Sequence, residues 1–512
     1  MSNSPRKILL VVLDGWGQTP EAEAKVSAIA QANTPFIDQL YLKYPCTLLE
    51  TSGTCVGLPK GHMGNSEVGH LHLGAGRKIP QELLKIQQDI QHGSFYENPL
   101  LKESFQKIQQ AQQNKLHFIA LTSKGGVHGH IDHLFSLCQM AEQYQVPFYV
   151  HAISDGRDVA PQDMKSTLPI LEKRIKQYGG FLATLMGRYY AMDRDKRWER
   201  TRLAYEALIK RKGIHISNPS TYLKDCYKRG ITDEYLRPAI LLPEANISSG
   251  DVIICTHFRP DRIRQLTQAL SQKKSPLTHM NPPSVHFLGF TSYNPNFENV
   301  QILYPKKPVP QTMGEILTQE NKYQTRIAET EKYPHVTFFF SGGQEKPFPK
   351  EKRIFHPSPK ISTYDLKPEM SAEDLKTSTC QLLKTKTQDF ILLNFANADM
   401  VGHTGNMKAT QKACEVVDQC LSEVIQTAQN AGYTAMVLAD HGNAECMQTP
   451  EGTPHTAHTN YPVPCFLIPP TPGKAFSILP RTGKLSQIAP TLLSLMKIPI
   501  PKEMDPPWKN KN

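Results

Sequence analysis

Short unbroken apolar runs recur along the chain, separated by stretches in which apolar residues return every three or four positions. The runs predict strands at Lys7–Leu13, Leu116–Leu121, Val146–Ile153, Phe181–Met186, Val252–Cys255, Val285–Phe290, Val336–Phe340, Phe390–Phe395, Thr434–Leu438 and Pro464–Ile468. Helical spacing is clearest after Asn406, where Ala413, Val416, Val417, Cys420, Leu421 and Val424 share one face and Gly432 ends the element. A second helix begins with Asn98 as cap and Pro99 as first residue, burying Leu101, Phe105 and Ile108. Unbroken apolar strands alternating with helices predict parallel sheets covered on both faces. In such folds ligands bind beyond the carboxyl ends of the strands. No repeat of fixed period is present, which excludes a solenoid.

A chain of 512 residues exceeds what one core holds, since single cores rarely grow past about 250–300 residues. The proline- and lysine-rich stretch Tyr304–Pro310 reads as a linker, and Gly74–Arg77 with Lys78-Ile79-Pro80 as its partner. With both as hinges, a domain over residues 79–311 is inserted into one formed by residues 1–78 and 312–512. The metal-type motifs then fall outside the insert and the arginine-rich ones inside it, which predicts an active site where the domains meet.

Composition excludes more than it selects. The apolar runs are far shorter than the ~20 residues a membrane helix needs, so no membrane partner is expected. Basic residues precede Ile8–Leu13, but that run ends at Asp14 without a small-residue cleavage site, and a cytoplasmic location is expected. The ten cysteines form no C-x-x-C pair and no finger spacing, as for reduced thiols. The formal charge of +11 is spread without a basic block or interleaved aromatics, so no nucleic-acid partner is expected. Diffuse positive charge suits steering of a small anionic substrate.

Aspartates and histidines follow several strands: Asp14-Gly15-Trp16-Gly17, Asp399 with His403, Asp440-His441-Gly442-Asn443, and His455-Thr456-Ala457-His458. Each alone would read as a hydrogen-bonded pair; four together predict metal binding. A carboxylate and imidazole set without cysteine suits manganese, zinc or magnesium. If helical, the Asp399–His403 spacing lets both reach one ion, and a sharp turn would let Asp440 and His441 bridge two. Ser66 lies in Gly61-His62-Met63-Gly64-Asn65-Ser66-Glu67-Val68-Gly69-His70, either as a turn serine capping the next helix or as a metal-activated nucleophile. Glycines at 61, 64 and 69 would permit the close backbone approach a phosphate needs. Inside the insert, Arg157, Arg188, Arg194, Arg259 and Arg262 sit at predicted strand ends, and arginine suits carboxylate and phosphate. His128 adds a group that titrates near neutrality. Lys332, before the predicted strand Val336–Phe340, would on its own read as a surface lysine.

Together these motifs resemble the cofactor-independent (2,3-bisphosphoglycerate-independent) phosphoglycerate mutases of the alkaline phosphatase superfamily, over nearly the whole chain. The resemblance rests on Gly64–His70, Ser154-Asp155-Gly156-Arg157-Asp158, Asn394-Phe395-Ala396-Asn397 leading to Asp399 and His403, and Ala439–Glu445. It implies an α/β fold in which an alkaline-phosphatase-like parallel-sheet domain carries an inserted α/β phosphotransferase domain. It implies interconversion of 3-phosphoglycerate and 2-phosphoglycerate in glycolysis and gluconeogenesis, by a monomer with two divalent ions, Mn2+ above all. Ser66 would become phosphoserine. One ion would be held by Asp399, His403 and His458, the other by Asp14, Ser66, Asp440 and His441. Substrate would meet His128, Arg157, Asp158, Arg188, Arg194, Arg259, Arg262 and Lys332. The family usually has aspartate in place of Lys124, asparagine in place of His257 and commonly proline in place of Ala398. Another metal-dependent phosphatase or phosphosugar mutase of the superfamily is the alternative. A basic binding protein on an inactive scaffold is the rival of a different class.

Overall fold

The computed structural model describes residues 6–111, 113–273, 280–471 and 480–508; the first five residues of the basic start lie outside that set. Its contacts divide the chain into two compact units, one of residues 1–81 and 307–512, the other of residues 82–306. The boundaries read from the sequence were 78/79 and 311/312. Among the described residues no helix is long and apolar enough to cross a membrane.

The first unit is built on a sheet with strand order Glu351–His356, Gln324–Glu329, Phe390–Phe395, Lys7–Leu13, Tyr433–Leu438, Val463–Ile468, Cys46–Glu50, Thr482–Lys484. The first five of these pair in parallel, and Val463–Ile468 runs antiparallel to both its neighbours. Lys7–Leu13 is central, with Ile8 to Val12 wholly buried, so its apolar run reflects cover on both faces. Leu13 lies opposite Phe395 and Val12 opposite Leu438. Asp14, the turn after Phe395 and Asp440 therefore leave one edge of the sheet side by side. The 24-residue helix Met407–Asn430 covers this sheet, its cap Asn406 accepting from the Ala409 amide at 3.2 Å.

The second unit has its own sheet, in the order Val300–Ile302, His286–Gly289, Val252–Cys255, Leu116–Leu121, Phe148–Ser154, Phe181–Gly187, Ala239–Ile240, Ile214–His215. All neighbours are parallel except Phe181–Gly187 with Ala239–Ile240. Helix Pro99–Gln110 is capped by Asn98 and buries Leu101, Phe105 and Ile108.

One predicted strand is not a strand. Val336–Phe340 has the β-branched and aromatic residues of a strand, but His335–Phe339 winds into a π-helical turn. It packs on the helix Ser66–Ala75. The strand of this region is Gln324–Glu329, whose Arg326 and Glu329 are wholly buried. Those two charges made a central strand look like surface. Helix and turn meet at Gly74, where a Cβ would stand 1.8 Å from the Phe340 carbonyl oxygen. Neither backbone can yield locally. Gly74→Ala is therefore expected to destabilise the protein by about 1–3 kcal/mol despite alanine's better helix propensity. Denaturant unfolding of the first unit measures this, and an unchanged midpoint would contradict it.

Candidate functional site

In the first unit Ser66 is the first residue of helix Ser66–Ala75, and Asn65 caps that helix by accepting from the Val68 amide at 2.9 Å. The capping serine of the conservative reading is thus replaced by a capping asparagine, which leaves the Ser66 hydroxyl for other partners. Its Oγ lies 3.1 Å from Asp14 Oδ1, 2.9 Å from His441 Nε2 and 2.7 Å from Lys332 Nζ. Lys332, in the turn after Gln324–Glu329, also donates to Asp14 Oδ1 at 2.7 Å and Asp399 Oδ2 at 2.6 Å. This lysine is buried among acids, not at the surface.

The turn after Phe395 is the short helix Asn397–Gly402, which sets Asp399 and His403 one turn apart. Asp399 Oδ1 is 3.2 Å from both His403 Nε2 and His458 Nε2, and the two imidazole nitrogens are 3.1 Å apart. The ligand atoms of Asp399, His441 and His458 lie within 4.8 Å of one another, as do those of Asp14, Asp440 and His441. Asp440 and His441 thus serve one cluster despite being adjacent, because the chain turns sharply after Leu438. Gly69 lies against this turn, its Cβ position 2.8 Å from that of Asp440. That glycine is used for packing within the protein.

Charge holds the cluster together. Burial would raise the carboxyls of Asp14 and Asp399, but Lys332 outweighs it, with help from the histidines, and both lie well below the usual range. Burial would lower His441; Asp440, the bond with Asp14 and Asp399 outweigh that and raise it to about 10. His403 is likewise raised against its burial by Asp399, whereas burial and His441 lower His458.

In the second unit the arginines gather with Asp158 and with three acids that had no assigned role, Asp155, Glu234 and Asp261. Buried Arg188 donates to Asp155 at 2.5 Å and to Asp158 at 2.6 Å. Arg194 reaches Asp261 at 3.2 Å, Arg259 approaches it at 3.6 Å, and Arg157 meets Glu234 at 3.3 Å. His128 stands 3.3 Å from Asp261 and 3.8 Å from Asp158. Arg262 is lowered by burial and then by Arg188, Arg194 and Arg157, so four guanidinium groups share one region. Arg157, Arg188, Arg194 and Arg262 line a pocket of about 180 Å³ with Tyr189, Tyr235 and Arg200. Asp14, Ser66, Lys332, Asp399, His403, Asp440, His441 and His458 thus form one group, and His128, Arg157, Asp158, Arg188, Arg194, Arg259 and Arg262 another.

A family model described as the metalloenzyme superfamily matches residues 6–500. A 2,3-bisphosphoglycerate-independent phosphoglycerate mutase of Flavobacterium psychrophilum is 47% identical over 506 residues, which is 98% of each chain. One from a Synechococcus species is 46% identical and covers 98% of this chain and 95% of its own. The crystal structure of Leishmania mexicana phosphoglycerate mutase matches with a TM-score of 0.73 at 28% identity, over 99% of this chain and 98% of that one. The chain belongs to the 2,3-bisphosphoglycerate-independent phosphoglycerate mutases.

Membership of this metalloenzyme family implies divalent-ion binding, and the mutase residues fit it. Asp440 Oδ2 is buried and accepts no hydrogen bond among the described residues, although it sits with Asp14 and His441 at ligand spacing. Its neighbours His70 at 3.2 Å and His441 at 3.7 Å lie outside hydrogen-bond geometry, which leaves this buried oxygen suited to a cation. The mutase cluster also uses residues that motif reading passed over. His70 contacts Asp440 Oδ2 at 3.2 Å, and Asn394 donates to Asp14 Oδ2 at 2.9 Å. Asn443 donates to Asp399 Oδ1 at 3.0 Å. All three stood inside the quoted motifs, so their position was visible and only their partners were not. Of the departures from the mutase pattern, Lys124 is exposed, while His257 is wholly buried and held down to about 3 by its burial. His257 therefore adds no charge at neutral pH.

Proposed function

We propose that the protein interconverts 3-phosphoglycerate and 2-phosphoglycerate through a phosphoserine at Ser66, with two divalent ions and without added bisphosphoglycerate. The observation that carries this reading is the Ser66 hydroxyl, buried within 2.7–3.1 Å of Lys332, His441 and Asp14 and inside a ligand-rich cluster. Asp399, His403 and His458 would hold one ion, and Asp14, Ser66, Asp440 and His441 the other. Bound there, the ions would supply the positive charge that activates the serine and stabilises the transferring group. Manganese is the ion we expect from the resemblance to the mutases; the mixed carboxylate and imidazole donors suit manganese, zinc or magnesium.

The chain's own groups then divide the work. Ser66 Oγ attacks phosphorus and glycerate leaves. Lys332 Nζ, already hydrogen-bonded to Ser66, offsets charge on the phosphoryl oxygens. Arg157, Arg188, Arg194, Arg259 and Arg262 keep the glycerate from escaping while it reorients and takes the phosphoryl group back on the other oxygen. Asp158 and His128 exchange protons with the glycerate hydroxyls. A phosphatase would need no such arginine set, which is why we favour transfer over hydrolysis. The substrate is a small anion, and we propose a monomer acting in the cytoplasm, within glycolysis and gluconeogenesis, with no nucleic-acid or membrane partner.

The test is turnover of 3-phosphoglycerate by the full chain with manganese and no bisphosphoglycerate. Release of free phosphate in place of 2-phosphoglycerate would overturn the mutase reading. Arg262→Ala is expected to lower kcat/KM by the equivalent of about 2–5 kcal/mol, the usual cost of removing one charge-assisted contact to an anion. Metal content should stay normal, since Arg262 belongs to the other group. Near-normal kinetics would remove Arg262 from the substrate site.

A further inference from the structure

Glu445 is wholly buried, and its carboxylate joins three loops of the first unit. Its Oε2 accepts the backbone N–H of Gly17 at 3.1 Å and that of Asn443 at 2.7 Å. Its Oε1 accepts the Thr459 hydroxyl. Each loop carries a side chain of the ligand cluster: Asp14 precedes Gly17, His441 precedes Asn443, and His458 is next to Thr459. The Gly15 carbonyl oxygen ties the first two loops again, accepting from the Asn443 and Ala444 amides at 3.0 and 3.1 Å.

Space around the carboxylate is reserved by glycine. A Cβ on Gly17 would stand 2.1 Å from Glu445 Cδ, and one on Gly442 2.2 Å from Glu445 Oε1. Any other residue at either position would push the carboxylate out of its three-way contact. Without this tie, the loops bearing Asp14, His441 and His458 would lose three hydrogen bonds that join them.

We propose that Glu445 is a positioning residue that holds three ligand-bearing loops in register and thereby sets the affinity for the divalent ions. The inference rests on the metal reading above and adds to it a residue outside the ligand set. Its role is one of reach and hydrogen bonding, not of charge, and two substitutions separate these. Glu445→Asp keeps the charge but is one methylene too short to span the loops. Glu445→Gln keeps the length; its carbonyl oxygen can accept both amides while its NH₂ donates to Thr459, whose hydroxyl donates or accepts.

The experiment is calorimetric titration of the chelator-stripped full chain with manganese, alongside its metal-free thermal midpoint. Glu445→Asp is expected to bind manganese about 10–100-fold more weakly, the usual loss when a partner outside the ligand set is disturbed. Glu445→Gln should bind like wild type. Loss in the Gln variant with the Asp variant binding like wild type would overturn the proposal in favour of a charge effect. A lowered metal-free midpoint in Glu445→Asp with unchanged affinity would overturn it in favour of a purely structural role. Should Glu445→Asp fail to fold, Thr459→Val removes the third tie together with the bond that the Thr459 hydroxyl accepts from the Tyr461 amide at 3.3 Å, and unchanged affinity there would overturn the clamp. A wild-type chain that bound no manganese would overturn the metal reading and the clamp with it; wild-type binding without loss in the variants would overturn the clamp alone.

Discussion

Ser66→Ala is expected to abolish mutase activity while leaving the protein folded. A nucleophile that acts together with its activating groups is worth on the order of a million-fold in kcat, or about 8 kcal/mol of barrier. The substitution removes one hydroxyl from the first residue of a helix whose cap is Asn65, so the helix keeps its start. Three hydrogen-bond partners, Lys332, His441 and Asp14, lose a shared contact but retain one another. Wild-type protein quenched during turnover should carry phosphate on the Ser66 peptide, detectable by mass spectrometry, and the variant none. Phosphate found on a histidine would show the serine mechanism to be wrong.

Metal binding is expected to expel protons and to fail in mild acid. In the ion-free chain His441 is raised to about 10, against its burial, by Asp440, Asp14 and Asp399, so it carries a proton at neutral pH. A histidine raised from about 6.5 contributes stability that is present below that value and is lost as pH climbs through about 10. The ion-free protein should thus weaken toward alkaline pH through this group. Ion binding has the opposite pH dependence, because coordination needs the neutral imidazole. Affinity should fall about tenfold per pH unit for each proton displaced. Manganese stands at the weak end of the divalent series, so activity should fall progressively as pH drops below about 10, with release of metal and no unfolding. Calorimetry in buffers of different ionisation enthalpy counts the protons, and excess manganese should move the acid limb to lower pH. A limb that ignored manganese would assign control to a group outside the metal cluster.

The legible parts of the molecule share a physical cause. Lys7–Leu13 and Phe390–Phe395 were found to the residue because burial on both faces gives them nearly unbroken apolar runs. Helix Met407–Asn430 announced itself by its cap and stripe. Gln324–Glu329 was missed because Arg326 is buried against the rings of Phe340 and Phe390 at 4.7 and 5.2 Å, an environment no local pattern encodes. Val336–Phe340 was misread for the converse reason: its β propensity yields to packing on the helix that begins at Ser66. Lys332 followed from that misreading, since a lysine before a strand gives no sign that three acceptors wait for it.

By itself the sequence determined which residues bear chemistry and that they leave the ends of buried parallel strands, because ligand types and unbroken apolar runs are local properties. It also determined family membership, which rests on short motifs kept in order along the chain. Tertiary structure alone decided partnership. The strand order, with Lys7–Leu13 between Phe390–Phe395 and Tyr433–Leu438, brings Asp14 beside Asp399 and Asp440 from hundreds of residues away. The same closeness of three buried acids raises His441, fills the gap between them with Lys332 and makes Glu445 the tie of three loops. Charge interactions of this kind depend on distance and burial, and neither is written in the order of residues.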